Sequence, residues 1–348
     1  MLDKIEAGRD LSRAEADALM EELLAGRMAH ADVVRFLLAM RAKGETVDEL
    51  VGFARVMRRH ATPVPIRQVG AAAAPAGASV NEWPLVDTCG TGGGSAGTFN
   101  VSTAAALVVA GAGVRVAKHG NRSISSRSGS ADVLEALGVK LDMPAERIGQ
   151  AIAQIGISFL FAPAMHASVK HAMPARREVG GRTVFNLLGP LTNPAGVSAQ
   201  VIGVPEASLV PTIAKALAEL GAKHAFVVHG TDGLDEISLS AETIVAEVEG
   251  NTVNRYSISP ESFGVARAAL TALAGGDPVA NAQIFRGVLQ GEPGPRRDFV
   301  CINAAAALVA AGRASDFKQG ARVAAEAIDS GAALGKLNAL IAFSQGKN

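Results

Sequence analysis

The chain has 348 residues, of which 49% are hydrophobic and 19% charged, so it can build a sizeable buried core, and a disordered chain is excluded. Lys plus Arg and Asp plus Glu number 33 each, so no net positive charge favours nucleic acid or an anionic membrane, and a small partner is expected. Two widely separated cysteines, Cys89 and Cys301, argue against a disulfide framework or a Cys-rich zinc site and favour a reducing compartment.

The N-terminal region predicts a small bundle of short helices. Residues 1–10 lack the apolar core of a signal peptide, and no run approaches the roughly 18 apolar residues of a membrane span, so we expect a soluble, cytoplasmic protein. The tetrapeptides 12–15 and 46–49 match the capping box, in which a hydroxyl and a carboxylate satisfy free amides at a helix start. Gly26 and Gly44 stand where helices should end.

A composition rich in Ala, Gly and Pro follows and predicts a hinge at about residues 65–84. After it, short apolar runs alternate with helical segments. Such alternation implies crossover connections and a mostly parallel central sheet covered by helices. The predicted fold class is therefore α/β, with a small helical-bundle domain and a larger α/β domain. Strands are expected at 85–88, 114–118, 199–204 and 225–228, and helices at 102–110, 131–137, 209–220, 304–311 and 317–328.

A glycine-rich loop lies between the first predicted strand and the following helix. Its five glycines within residues 90–97 let backbone amides converge, and the helix N-terminus adds oriented N–H groups, so phosphate or diphosphate is the natural ligand. Polar residues after the loop add contacts, and Ser102 would either cap the helix or touch a phosphate-bound Mg²⁺. An ordinary glycine-rich turn is the alternative. The pattern has neither a Gly-Lys-Ser/Thr ending nor dinucleotide-binding spacing, which disfavours kinase and dehydrogenase functions.

A second polar loop, residues 118–130, again lies between a predicted strand and a helix. Lys118 would supply a charge, and the serines would supply donors, for a second phosphate some distance from the first. The alternative is that Ser130 caps the next helix and that Arg122 and Arg127 are solvated.

A third turn, after the strand at 225–228, carries the carboxylates Asp232, Asp235 and Glu236. Hard oxygen ligands beside a phosphate site suit Mg²⁺, which needs only one or two carboxylates. An acidic surface turn is the alternative.

Together, these motifs resemble the anthranilate phosphoribosyltransferase family. The matching stretches are residues 87–103, 118–122, 128–135, 182–194 and the pair 235–236, in order over nearly the whole chain. The resemblance implies transfer of the phosphoribosyl group of 5-phosphoribosyl 1-diphosphate to the amine of anthranilate. The products would be N-(5-phosphoribosyl)anthranilate and diphosphate, in the second step of tryptophan biosynthesis from chorismate.

The resemblance also implies a nucleoside-phosphorylase-like architecture and a homodimer. Residues 1–64 with about 164–190 would form the helical domain, which carries the dimer contact and the anthranilate side. Residues 80–163 with about 191–348 would form the α/β domain, which holds the sugar diphosphate and the metal.

Site residues follow from the matching positions. The sugar diphosphate would be held by Gly90, Gly93, Gly94, Thr98, Asn100, Val101, Ser102, Thr103, Lys118, Ser126 and Ser130. Anthranilate would meet Gly90, His119, Asn121, Pro163, His166 and Arg176. Two Mg²⁺ ions would be held by Ser102, Asp235 and Glu236.

Arg176 would bind the anthranilate carboxylate, since arginine suits bidentate recognition, and its neighbour Arg177 is the rival. A lone histidine such as His166 or His171 is more often a surface or capping residue. No general base is expected, because a neutral aromatic amine is already nucleophilic and positioning with electrostatic stabilisation carries the rate.

The chain departs from the family pattern at two positions. Gly94 stands where the family usually has Asp, so we expect altered Mg²⁺ dependence or weaker substrate ordering, which a Gly94→Asp variant tests through its Mg²⁺ profile and KM. Val169 stands where some relatives carry an aromatic residue near the anthranilate entry.

Two rival functions remain. A pyrimidine-nucleoside phosphorylase of the same architecture has no need of the 185–194 run or of the paired Asp235 and Glu236. A non-catalytic relative that binds nucleic acid should show basic stripes, and only the short 122–127 cluster offers one.

Overall fold

Four helices form the N-terminal part of the computed structural model, which describes residues 1–66, 84–93, 97–123 and 127–347. They are α1 (Leu2–Glu6), α2 (Arg13–Leu24), α3 (His30–Lys43) and α4 (Val47–His60). Both expected capping boxes are confirmed: the hydroxyls of Ser12 and Thr46 each accept the amide of a glutamate three residues on, and that glutamate accepts the capping residue's own amide. Gly44 ends α3 with a φ of 84°, a conformation that favours glycine.

In the described part of the chain, seven strands form one sheet in the order β3-β2-β1-β4-β5-β6-β7. The first five pair in parallel, and the last two form an antiparallel hairpin at one edge, which confirms a mostly parallel sheet. The expected strands at 85–88, 114–118, 199–204 and 225–228 correspond to β1, β2, β4 and β5. The strands are β1 (Leu85–Asp87), β2 (Arg115–Gly120), β3 (Ile157–Phe161), β4 (Ala199–Gly203), β5 (His224–Gly230), β6 (Thr243–Glu249) and β7 (Thr252–Ile258).

Helices cover both faces of the sheet. The central one, α5, is buried along almost its whole length, as its run of Ala, Val and Leu requires. These helices are α5 (Val101–Gly111), α6 (Ser130–Ala136), α7 (Ala145–Ile155), α8 (Ala162–Met165), α9 (Met173–Val179), α10 (Val184–Leu191), α11 (Leu209–Glu219), α12 (Pro278–Leu289), α13 (Pro295–Ala310), α14 (Phe317–Asp329) and α15 (Ala332–Ser344). Short 3₁₀ turns lie at Ala167–His171, Pro260–Phe263 and Leu270–Leu273.

Alternate residues of the strands enter two different hydrophobic cores. On β4, Val201 belongs to the core that also contains residues of α5, α13, α14 and α15, whereas Ile202 belongs to the core that contains residues of α4, α10 and α11. Phe226 and Val227 of β5 divide in the same way. This is the two-residue period of a strand buried on both faces.

The second core runs without interruption from the N-terminal helices through α9 and α10 to α11 and the sheet. Residues around 164–190 therefore pack with the N-terminal helices, and the exact domain division stays a prediction. Most of the expected hinge, residues 67–83, lies outside the described ranges. Within those ranges, no helix is both long and apolar enough to cross a bilayer.

Candidate active site

The glycine-rich loop leaves the carboxyl end of β1 and lies against the end of β4. The Thr91 amide donates to the Gly203 carbonyl oxygen at 3.0 Å, and a Cβ at position 90 would come within 3.0 Å of the same oxygen. Gly92 and Gly93 have φ values of +69° and +97°, where a side chain would be strained. The loop conformation therefore depends on its glycines. Gly94 lies outside the described residues.

Asn100 ties this loop to the second one. It occupies the N-cap position of α5, its side-chain amide donates to the Ser128 carbonyl at 2.8 Å, and its side-chain oxygen accepts from the Asn281 amide at 3.0 Å. The interpretation of Ser102 as the N-cap is thus wrong, because Asn100 is the N-cap and Ser102 is the second residue of α5.

The other α5 residues predicted to hold the sugar diphosphate begin the helix. Val101 is its first residue and is buried, and the buried Thr103 hydroxyl has no hydrogen-bond partner among the residues described. Thr98 lies just before the helix and forms an isolated bridge with Ala274.

Lys118 lies at the carboxyl half of β2, beside both loops. Its ammonium group donates to the Thr88 carbonyl at 3.2 Å, and only 3% of the residue is exposed. A buried ammonium with donors to spare suits an anion. The structure therefore brings Lys118 together with the glycine-rich loop.

The second loop closes on itself before α6. The Asn121 carbonyl accepts the Ser130 hydroxyl at 3.3 Å, while Gly129, not Ser130, occupies the N-cap position, so the capping interpretation of Ser130 is wrong. Arg122 forms ion pairs with Asp132 and Glu135 at the surface, so it is not simply solvated as the alternative expected. Ser126 falls outside the described residues.

Asp87, at the end of β1, is fully buried. Its carboxylate accepts the His119 amide at 3.2 Å and the Asn193 side-chain amide at 2.7 Å. Burial raises the pKa of Asp87 to about 6, against the lowering effects of nearby Lys118 and these hydrogen bonds. Asp87 thus links β1 and β2 to the 182–194 run.

The turn that carries Asp232, Asp235 and Glu236, called the acidic loop, lies beneath the glycine-rich loop with Gly203 between them. A Cβ at Gly203 would overlap the Asp235 carbonyl oxygen, so Gly90, Gly203 and Asp235 form three successive layers of backbone. Neighbouring Asp232 accepts the Ser238 hydroxyl at 2.7 Å and holds the turn closed.

Asp235 and Glu236 repel each other. Burial, followed by the charge of Asp235, raises the pKa of Glu236 to about 8, although Lys118 and the hydroxyl and amide of Ser102 stabilise its ionised form. Two neighbouring carboxylates beside a hydroxyl make a hard oxygen donor set with excess negative charge. These residues fit a magnesium ion.

Two buried histidines lie on the other side of β2. The His119 Nδ1 donates to the Gly189 carbonyl at 3.1 Å, so its Nε2 is the acceptor of a neutral imidazole. The Nε2 atoms of both His119 and His166 are buried without a partner among the described residues. Pro163 is exposed in α8, three residues before His166.

Arg176, on α9, lies 5.2 Å above the Phe185 ring centroid. It is half-buried, burial lowers its pKa, and it has no carboxylate partner within the described parts of the chain. Arg177 is exposed. A half-buried guanidinium that lacks an anion distinguishes Arg176 from its rival.

Known proteins match the chain along almost its whole length. Residues 1–61 match the family described as "Glycosyl transferase family, helical bundle domain", and residues 82–334 match "Glycosyl transferase family, a/b domain". The anthranilate phosphoribosyltransferase of Desulfatibacillum aliphaticivorans is 51% identical over 345 residues, which cover 99% of this chain and 98% of that protein.

The chain belongs to the anthranilate phosphoribosyltransferase family. The solved member from Thermus thermophilus is 43% identical, with a TM-score of 0.89 and 99% of each chain covered. A member from Saccharomyces cerevisiae, solved in complex with PRPP and Mg, is 27% identical with a TM-score of 0.84, covering 99% of this chain and 97% of that one. The predicted family and fold are confirmed.

The sequence motifs did not single out Asp87 and Gly203 as functional residues in this family member. Asp87 does end the strand before the glycine-rich loop, which was a usable signal. Gly203 gave no such signal in the sequence, because the need for a glycine there arises only from the packing of β4 between two loops.

Proposed function

We propose that this chain transfers the phosphoribosyl group of 5-phosphoribosyl 1-diphosphate to the amine of anthranilate, giving N-(5-phosphoribosyl)anthranilate and diphosphate. The stacking of Gly90, Gly203 and Asp235 is the observation that carries the proposal, because it places a phosphate-type loop and a metal-type acidic pair one glycine backbone apart. Family membership agrees with it.

The sugar diphosphate would be held by the glycine-rich loop, Asn100, Thr103 and Lys118. Val101 and Ser130, the first residues of α5 and α6, would lie beside it, as would Thr98 just before α5. The unpartnered Thr103 hydroxyl and the spare donors of Lys118 support this assignment. Both are buried, so an anion between them would be held by strong, poorly screened hydrogen bonds.

Asp235, Glu236 and Ser102 would hold magnesium, and we propose two ions per site. Bound magnesium would neutralise negative charge on the departing diphosphate. The chain's own contribution is to hold two carboxylates close together, which the raised pKa of Glu236 supports.

Anthranilate would lie between Arg176 and the histidine pair, with Gly90, Asn121 and Pro163 nearby. The guanidinium over Phe185 would bind the substrate carboxylate. The unpartnered Nε2 of His119, an acceptor, would receive an N–H of the amine. The amine lone pair would then point away from the imidazole, towards the ribose.

In the reaction, the amine nitrogen forms a bond to ribose C1 while the bond from C1 to the diphosphate oxygen breaks, and the electron pair leaves with diphosphate. The nitrogen then loses a proton to water. Rigid positioning of both substrates supplies the rate enhancement, and the mechanism needs no strong general base.

We also propose that the protein acts in the cytoplasm as a homodimer through its N-terminal helices. Free Cys89 and Cys301 support a reducing compartment. The exposed Leu38 on α3, at 47% relative exposure, is an apolar residue that such a contact would cover.

The test is a fluorescence assay of anthranilate with PRPP and Mg²⁺. We expect fluorescence to fall only when protein, PRPP and Mg²⁺ are all present. Folded protein that leaves the fluorescence unchanged would contradict the proposal. Release of thymine from thymidine with phosphate would favour the phosphorylase instead, and a shift of single-stranded DNA in a gel at physiological salt would favour the nucleic-acid-binding relative.

A further inference from the structure

Asn303, on α13, is 3% exposed and holds the backbone on both sides of Ile237. Its side-chain oxygen accepts the Ile237 amide at 3.0 Å, and its side-chain amide donates to the Ile237 carbonyl at 3.1 Å. The same amide group donates to the Phe299 carbonyl of its own helix at 2.9 Å. All three groups that fix the Asn303 side chain are therefore backbone atoms.

The two hydrogen bonds between Asn303 and Ile237 are called the clamp below. Ile237 directly follows Glu236, so the clamp acts on the acidic loop. On the other side of Glu236, the Asp235 backbone packs against Gly203. Beyond the clamp, the Ser238 amide donates to the Thr243 hydroxyl at 2.9 Å. Glu236 thus lies on a short stretch of backbone that is fixed at both ends.

The clamp limits the movement of the acidic loop. Asp235 and Glu236 are adjacent in sequence, and a backbone free to move would not hold their carboxylates in one fixed arrangement. Held backbone atoms keep the two carboxylates together in the metal-free protein, which removes a reorganisation cost from cation binding.

We propose that Asn303 is a positioning residue for the magnesium site, fixing the direction of Glu236 through the backbone of Ile237. This inference rests on the proposed function. Asn303 touches neither substrate nor metal in it, and residues in such outer positions change metal affinity by roughly 10–100-fold when replaced.

Two variants test the clamp. Asn303→Asp keeps the size and the acceptor but turns the donor into an oxygen that faces the Ile237 carbonyl. Asn303→Ala removes all three hydrogen bonds of the side chain. The matched control is Ser344→Ala on α15, where a buried hydroxyl likewise accepts one backbone amide, of Lys140, and donates to one carbonyl, of Ile341.

The readout is Mn²⁺ binding in the presence of PRPP, followed by the electron paramagnetic resonance of free Mn²⁺. We expect about tenfold weaker binding in both Asn303 variants and no change in Ser344→Ala. The KM for anthranilate should stay within about twofold, since the clamp lies on the metal side.

Wild-type Mn²⁺ affinity retained in a folded Asn303→Asp protein would overturn the inference while leaving the proposed function intact. Absence of Mn²⁺ binding in the wild type would overturn the metal assignment itself. If neither variant folds, hydrogen exchange of the wild type decides: the Ile237 amide should exchange slowly although it lies in a loop, and fast exchange would refute the clamp.

Discussion

The imidazole rings of His119 and His166 lie 5.1 Å apart between centroids, and both are buried. Burial lowers the pKa of His119 to about 3, with a contribution from His166, and lowers that of His166 to about 4. Both rings are therefore neutral near pH 7, and neither repels the other. The folded state therefore requires both imidazoles to stay unprotonated.

This pair predicts a loss of stability in mild acid. The unfolded imidazoles titrate near pH 6.5, so between that value and the lowered pKa only the unfolded chain binds these protons. The stability contribution is complete above about pH 6.5 and declines as the pH falls towards 4. At pH 5 the decline should reach about 2 kcal/mol for His166, and urea unfolding at pH 7.5 and 5 measures it.

A His166→Gln variant isolates that contribution. Its free energy of unfolding should fall by about 2 kcal/mol less than that of the wild type over the same pH interval. His171→Gln, at an exposed position nearby, serves as the control and should follow the wild type. Equal pH dependence in all three proteins would show that His166 is not held neutral.

Arg176→Lys should raise the KM for anthranilate at least about tenfold, because a lysine cannot reproduce the planar two-donor contact with a carboxylate. Its rival Arg177 is exposed, so Arg177→Lys should leave the KM within about twofold. Steady-state kinetics at saturating PRPP distinguish the two. The opposite pattern would move the carboxylate contact to Arg177.

Removing one of the two repelling carboxylates should stabilise the metal-free protein. We expect Glu236→Gln to raise the free energy of unfolding by about 1–2 kcal/mol at pH 8 without Mg²⁺, after allowance for partial exposure, while Mg²⁺ activation is lost. Urea unfolding with and without Mg²⁺ measures both effects. The exposed Glu326→Gln is the control, and an unstabilised Glu236→Gln would mean that the acidic pair is not strained.

Gly203→Ala adds only one methyl group, yet it should destabilise the protein, since that group would overlap the Asp235 carbonyl oxygen. Overpacking of this kind costs about 1–3 kcal/mol, and it should also displace the acidic loop and weaken Mg²⁺ activation. Thermal unfolding and an Mg²⁺ titration test both effects. Gly335→Ala is the matched control: its Cβ meets open space within α15, so it should be neutral or stabilising by up to about 1 kcal/mol.

Local signals predicted much of the fold correctly. The capping boxes at Ser12 and Thr46 and the glycine at position 44 involve neighbours in sequence, so their chemistry can be read without the fold. The β6–β7 hairpin was not predicted, although a two-residue Gly250-Asn251 turn joins its two strands, which is a recognisable hairpin pattern. Strand β3 was not predicted either, because periodicity cannot distinguish a short apolar strand from a buried helix.

The glycine-rich loop, the polar loop with Lys118 and the acidic pair were determined by the sequence itself, since each is a run of adjacent residues with its own chemistry. Only the tertiary structure decided how they meet. Gly203 lies between the acidic pair and the glycine-rich loop. Asn303 holds Ile237, the residue after that pair, from 66 residues away, and Arg176 differs from Arg177 through its burial over Phe185. Such relationships depend on the packing of distant segments, which no local pattern specifies.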